Sequence, residues 1–224
     1  MTTPNPLKDA IEDLLARDHQ VEIVAATTRE IYRAGESARW IYFARSGMVK
    51  LTHQGGAQGP KLNIVRAGEL FGDEALWGEE VYWAHATRIM KGEILRMPVA
   101  WFQRMARRDP ELWRGVALMI RQKLVLEQIS FQRLANLSTD DRIVAMLAQL
   151  APGCPLVPSL ASHRLVHSIP LTQAELALLV GASRETTSSA LNAMARRGEL
   201  ELRRGRVLVP STASKGLSKA ASAD

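Results

Sequence analysis

The stretch from Leu171 to Pro210, LTQAELALLVGASRETTSSALNAMARRGELELRRGRVLVP, constrains this chain more than any other, because local chemistry alone punctuates it. Thr172 followed by Glu175 forms a capping box, in which hydroxyl and carboxylate satisfy backbone N–H groups that a helix start leaves unpaired. Leu176, Leu179 and Val180 then recur at helical spacing, and Gly181 permits an abrupt stop. Ser183 caps a second helix whose Ala190, Leu191 and Met194 face one way, while Arg184, Glu185, Ser188, Ser189 and Asn192 lie largely off that face. Gly198 reads as its end. ELEL, RRGR and VLVP follow as strand, turn and strand, with Gly205 in the turn.

Two short helices, a tight turn and a hairpin are the layout of a winged helix-turn-helix. A polar, mixed-charge start to the second helix suits the edges of base pairs, and the five arginines from Arg196 to Arg206, set against Glu199 and Glu201, suit phosphates. The candidate DNA contacts are Thr172, Gln173, Ser183, Arg184, Glu185, Thr186, Ser188, Ser189 and Asn192, with Arg203, Arg204 and Arg206 on the wing. Small helical pairs in other proteins share this pattern. A regulatory module whose C-terminal domain contacts protein, with a cyclic nucleotide or haem bound elsewhere, therefore stays open as the alternative.

The rest of the chain is organised differently. From Val21 to about Met97, runs such as REIYRAGE, WIYFARSG, MVKLTHQGG and KLNIVRAGE each resemble a strand closed by a turn residue, the pattern of a small antiparallel roll. A short helix around Lys8–Arg17 precedes it. From Val99 onward the signal is helical. Leu112, Val116, Met119, Leu126, Ser130 and Leu137 make one stripe, and Trp113, Ala117, Ile120, Leu124 and Phe131 a second beside it. A helix with two apolar faces needs two partners: the β domain, and the same helix of a second subunit. Leu112, Val116, Met119 and Leu126 are assigned to the dimer contact, although Lys123 interrupts the first stripe. Ser138 with Asp141 opens a helix through Ala151, and Pro152–Pro170 is read as a loop or β-edge. The expected class is α+β: a β-roll over 1–108, a long helix over 109–137, a winged helix-turn-helix over 138–210 and a disordered tail over 211–224.

At 224 residues with a formal charge of +6, the chain suits a polyanionic partner. Its single cysteine, Cys154, rules out an internal disulfide and a four-cysteine iron–sulfur site. No apolar run approaches the roughly 18 residues of a membrane span, and the N-terminus lacks a signal-peptide core, so a cytoplasmic protein with no membrane partner is expected. There is no Walker-type loop, nucleophile elbow, dinucleotide fingerprint or HExxH, and no enzyme is expected.

Specific residues then join this order of parts. LTQAELALLVGASRET is similar to the DNA-binding signature of the family of cyclic AMP receptor protein and the fumarate and nitrate reduction regulator. So is the run Gly35-Glu36, Tyr42, Gly47-x-Val49-x-Leu51 and Gly68-Glu69-Leu70-Phe71-Gly72-Asp73, and the resemblance covers roughly residues 20 to 210. It implies a homodimer on a near-palindromic duplex, with its recognition helices in successive major grooves, and activation through contact with RNA polymerase. Arg184 and Glu185 stand where base contacts are found; Ser189 replaces a frequent arginine, and Thr187 an apolar residue. The family's effector pocket maps onto Gly72, Asp73, Glu74, Trp83 and Arg88, but the arginine that holds a cyclic phosphate is missing near Trp83 or Ala84, Asp73, Glu74, Glu79 and Glu80 add negative charge, and Arg88, the nearest downstream cation, substitutes only if the loop runs longer. The sequence therefore speaks against cyclic AMP as effector. It also excludes the family's N-terminal iron–sulfur cluster, and it offers only the isolated His53 and His85 for haem, and His163 with His167 for a metal; none of these is assigned as a cofactor or metal site.

Overall fold

A computed structural model of the chain describes residues 7–9, 11–12, 20–55, 59–159 and 164–211. The chain divides into two compact units, 1–128 and 129–224. Residues 7–9 and 11–12 are helical; the remainder of the helix expected over Lys8–Arg17, and the tail from 212, lie outside the described residues.

Among its described residues the first unit holds eight strands in two antiparallel sheets. One has the order β1 (Glu22–Ile23), β8 (Ile94–Pro98), β3 (Trp40–Ala44), β6 (Leu70–Phe71); the other has β2 (Glu30–Tyr32), β7 (Ala84–Met90), β4 (Met48–His53), β5 (Lys61–Arg66). Pleating explains why β3 reads as an unbroken apolar run, WIYFA. Ile41 and Phe43 point into a core shared with helices α1 (Val99–Arg108) and α2 (Pro110–Asn136), while Tyr42 and Ala44 point into the space between the sheets. Leu70 and Phe71 of β6 divide in the same way.

Helix α2 corrects one expectation. Leu112, Val116 and Met119 are 0, 1 and 7 % exposed within this chain's own core, so three of the four residues assigned to a second subunit are already covered, and Leu126 is half-buried. Spacing along a helix locates apolar stripes without saying which of two faces inward. The uncovered side carries Leu118, Leu124, Val125, Ile129 and Phe131, the last 74 % exposed. Lys123 also finds its reason: its Nζ donates to the Leu70 carbonyl at 3.0 Å, beside the Leu70 N–H that donates to Met119 Sδ at 3.1 Å. Edge strand β6 thus meets its hydrogen-bonding needs from the helix.

In the second unit, α3 (Thr139–Leu150), α4 (Gln173–Val180) and α5 (Arg184–Arg196) pack on one another. Strand β12 (Arg206–Pro210) pairs on one side with β11 (Glu201–Arg203) and on the other with β10 (Leu165–Ile169), which also pairs with β9 (Leu156–Pro158). The hairpin read as a wing is therefore half of a four-stranded sheet. The proline-rich connection supplies the other half, with Pro158 closing the edge strand, where no ladder donor is required.

Leu112→Ala should lower the unfolding free energy by about 2–5 kcal/mol, the range for emptying a buried leucine site, read from the shift of a urea midpoint at unchanged slope.

Candidate nucleic-acid interface

The turn between α4 and α5 is built from satisfied backbone groups. Thr172 Oγ1 accepts from the Glu175 N–H at 3.2 Å, and Glu175 Oε2 accepts from the Thr172 N–H at 2.8 Å, so the predicted capping box closes. Gly181 ends α4 at φ 61°, and a Cβ there would lie 2.7 Å from Leu134 Cδ2. Any other residue meets left-handed backbone strain and requires the Leu134 side chain to shift. Ser183 Oγ then accepts from the Thr186 N–H at 3.0 Å and starts α5.

This geometry sets which side chains face water. Ser183, Arg184, Glu185, Thr186, Ser189 and Asn192 are exposed, and Ser188 is half-buried with Asn192 Nδ2 3.4 Å from its hydroxyl. Thr172 is exposed with its hydroxyl engaged in the cap, and Gln173 is half-buried beside it. The carboxyl of Glu185 is held below the usual range by its own backbone N–H at the helix start, with the Ser183 hydroxyl and Arg184 adding to the effect.

The arginines divide by partner. Arg197 pairs with Glu199, Arg203 lies 3.7 Å from Glu201, and Arg206 donates to Ser168 Oγ at 3.0 Å. Among the described residues no carboxylate stands within ion-pair distance of Arg184 or Arg204.

Two residues escaped the sequence reading in different ways. Arg142 of α3 donates from Nη1 to the Val180 and Gly181 carbonyls at 2.8 and 3.3 Å, and from Nη2 to Thr139 Oγ1 at 3.0 Å. It thereby closes the open end of α4, a role that no local pattern announces. Thr187, noted only as replacing an apolar residue, is 0 % exposed, and its hydroxyl has no hydrogen-bond partner.

In the first unit, Gly72, Asp73, Glu74 and Trp83 do come together. Asp73 Oδ2 accepts from Trp77 Nε1 at 3.4 Å, Glu74 Oε1 accepts from the Trp83 N–H at 3.3 Å, and Glu74 Oε2 is buried without a partner. Arg88 is not brought to them. It is 7 % exposed and donates to the carbonyls of Val24, Ala26 and Gly92 at 3.2, 3.4 and 3.0 Å, and burial lowers the pKa of its guanidinium. A cyclic phosphate placed at this turn would meet the carboxyl groups of Asp73 and Glu74 while Arg88 is committed to backbone carbonyls, so these residues do not fit it. The ring nitrogens of His85 lie 3.4 Å from the Ala34 N–H and 2.9 Å from Gln54 Nε2, and His167 Nδ1 lies 3.2 Å from the Cys154 carbonyl. His163 lies outside the described residues, and no cluster of metal-ligating side chains occurs among those described. Among them, no helix is long and apolar enough to cross a membrane.

Residues 24–109 match the cyclic nucleotide-binding domain and residues 141–214 the Crp-like helix-turn-helix domain. Together with the fold, these matches define a transcription regulator with a sensor-type β-roll and a DNA-binding helix-turn-helix, not an enzyme. The chain is 29 % identical over 188 residues to the cyclic AMP receptor protein of Thermus thermophilus, covering 83 % of this chain and 82 % of that one. It is 27 % identical over 219 residues to the CRP-like protein Clp of Xanthomonas euvesicatoria, covering 94 % and 93 %. Its fold matches that of the c-di-GMP-responsive global regulator CLP of Xanthomonas campestris with a TM-score of 0.67 at 24 % identity, over 91 % of this chain and 99 % of that one. The chain belongs to the CRP/FNR family of regulators.

Replacing Thr187 by valine removes a buried hydroxyl without a partner and should raise stability by about 1 kcal/mol, visible as a higher thermal midpoint; an unchanged or lower midpoint would show that the hydroxyl is satisfied in solution.

Proposed function

We propose that this regulator acts as a homodimer that selects a near-palindromic duplex through the start of α5, without cyclic AMP as its effector. The observation that carries the reading is the capped helix start at Ser183, which leaves Arg184 and Glu185 exposed side by side. An arginine fork fits O6 and N7 of guanine, and a carboxylate kept ionised accepts from N4 of cytosine. Arg204, on the turn of the β11–β12 hairpin and without a carboxylate partner among the described residues, suits a phosphate, which gives affinity and register but no sequence information. Thr172, Gln173, Thr186, Ser188, Ser189 and Asn192 complete the proposed duplex face, and short Ser189 predicts weak discrimination at the base pair it meets.

The uncovered side of α2 supports dimerisation. Leu118, Leu124, Val125 and Ile129 are 42, 59, 39 and 36 % exposed along one helix, more apolar surface than one solvated helix face ordinarily shows. This face replaces the one first assigned to the contact. Against cyclic AMP stands the acidic turn at Gly72–Glu74 with Arg88 committed elsewhere. Activation by contact with RNA polymerase and residence in the cytoplasm rest on family likeness alone.

Selection from a pool of random duplexes, repeated across salt concentrations, tests the function. The expected result is a palindrome with half-sites about one helical turn apart and a steep fall in affinity with salt; no enriched sequence at any salt would overturn it. On the selected site, Arg184→Ala should cost about 1–3 kcal/mol and relax the preference at one base pair, whereas Arg204→Ala should weaken selected and random duplexes alike. Equal losses on both duplexes for Arg184→Ala would remove that side chain from base readout.

A further inference from the structure

The space between the two sheets of the first unit is lined by aromatic rings at the very turn where the family holds its effector. Tyr32 and Tyr82 are each 3 % exposed, with ring centroids 3.9 Å apart and planes tilted by 20°. Tyr42 lies 5.2 Å from Tyr32, and Phe71 lies 5.2 Å from Tyr42. Two aromatic planes in van der Waals contact are themselves about 3.5–4.0 Å apart, so no third ring enters between Tyr32 and Tyr82.

Tyr82 is held by hydrogen bonds, whereas the Tyr32 hydroxyl is buried without a partner. Tyr82 Oη donates to the Trp40 carbonyl at 2.8 Å and lies 3.2 Å from the Trp40 N–H, so withdrawing Tyr82 leaves both backbone groups of Trp40 unpaired. Gly72, at φ 64°, presses directly on the cluster: a Cβ there would lie 3.0 Å from Tyr42 and 3.2 Å from both Tyr32 and Tyr82. Burial raises the pKa of all three phenols, so they remain neutral at any physiological pH.

We propose that the Tyr32–Tyr42–Tyr82 cluster fills the effector site from within, so that the β-roll accepts no cyclic mononucleotide or dinucleotide and the regulator binds its duplex in the ligand-free state. The proposal deepens the functional reading and rests on it for the duplex. It goes further than the missing arginine, because two separate obstacles now stand in the site. The acids Asp73 and Glu74 oppose a phosphate, and the tyrosine stack excludes a base even where a cation is supplied.

The two obstacles can be separated with Trp83→Arg, which places a guanidinium at the family's phosphate position on a residue that is 56 % exposed and therefore tolerant of replacement. Full-length wild type and Trp83→Arg would be titrated calorimetrically with cyclic AMP, cyclic GMP and cyclic di-GMP into the millimolar range, and melted with and without each. The expected result is no saturable heat and no change of thermal midpoint for either protein. A ligand at a hundredfold excess over its dissociation constant would raise the midpoint by about 5 °C or more. Duplex affinity should change by no more than about twofold on adding nucleotide, against the roughly 5- to 150-fold of ordinary allosteric coupling.

Saturable binding to wild type overturns the proposal. So does binding gained by Trp83→Arg, which would mean that charge alone had closed the site. Selection of a duplex only in the presence of a nucleotide also overturns it, and leaves the DNA-binding reading intact. Failure to select any duplex under all conditions sinks the DNA-binding reading instead, while the calorimetry, which contains no DNA, still decides whether the site is filled.

Discussion

A helix that is apolar on two sides must be covered twice, and most of what this chain does is arranged around that demand. Helix α2 spends Leu112, Val116 and Met119 on the core of its own β-roll, where full burial contributes about 1.5–3 kcal/mol for each side chain. The same face supplies Met119 Sδ and Lys123 Nζ to the two backbone groups of Leu70, so packing and edge-strand hydrogen bonding come from one surface. Nothing among the described residues then covers Leu124 or Phe131, at 59 and 74 % exposure. An apolar row of this kind is costly in water, and in the proposed dimer a second copy would cover it, since in a two-fold pairing each helix offers the same face to the other.

The helix-turn-helix answers to a different logic, in which each backbone group is satisfied within a few residues. Thr172 and Glu175 close one helix start, Ser183 another, and Gly181 reverses the chain between them. Because these devices act over three or four positions, they were readable from the order of residues. What was not readable is contributed from a distance. Arg142 reaches the carbonyls of Val180 and Gly181 from a helix almost forty positions earlier, |i−j| being 38 and 39. Arg88, a candidate for a ligand phosphate by its position in the sequence, is consumed by carbonyls at Val24 and Ala26. Lys123 looked like an error in an apolar stripe until strand β6 supplied its acceptor. The inward face of α2 was ambiguous for a related reason: a helical wheel is symmetric with respect to two equally apolar sides, and only the sheet that packs on one of them breaks the symmetry.

Charge is distributed with similar economy. The basic run from Arg196 to Arg206 reads as a uniform patch, yet Glu199 and Glu201 engage Arg197 and Arg203, and Ser168 takes Arg206. Local pairing restrains these guanidinium groups and lowers their field, while Arg184 and Arg204 keep theirs. The distinction matters because an arginine already bonded to a carboxylate must surrender that bond before it binds phosphate, and the net gain shrinks accordingly. Sequence selectivity would then reside at the start of α5, and sequence-independent affinity at the hairpin turn.

The interior of the β-roll closes the argument. Two sheets packed face to face must have the space between them filled, by ligand atoms or by side chains, because a void forfeits contacts on every wall. Here three tyrosines and Phe71 supply the filling. A small molecule shifts an equilibrium only by binding its two states unequally, and a site closed by its own core gives it neither state to bind. For the proposed dimer along α2, the fraction able to span both half-sites would rise with protein concentration, so without an effector the amount of protein made would itself bias duplex occupancy.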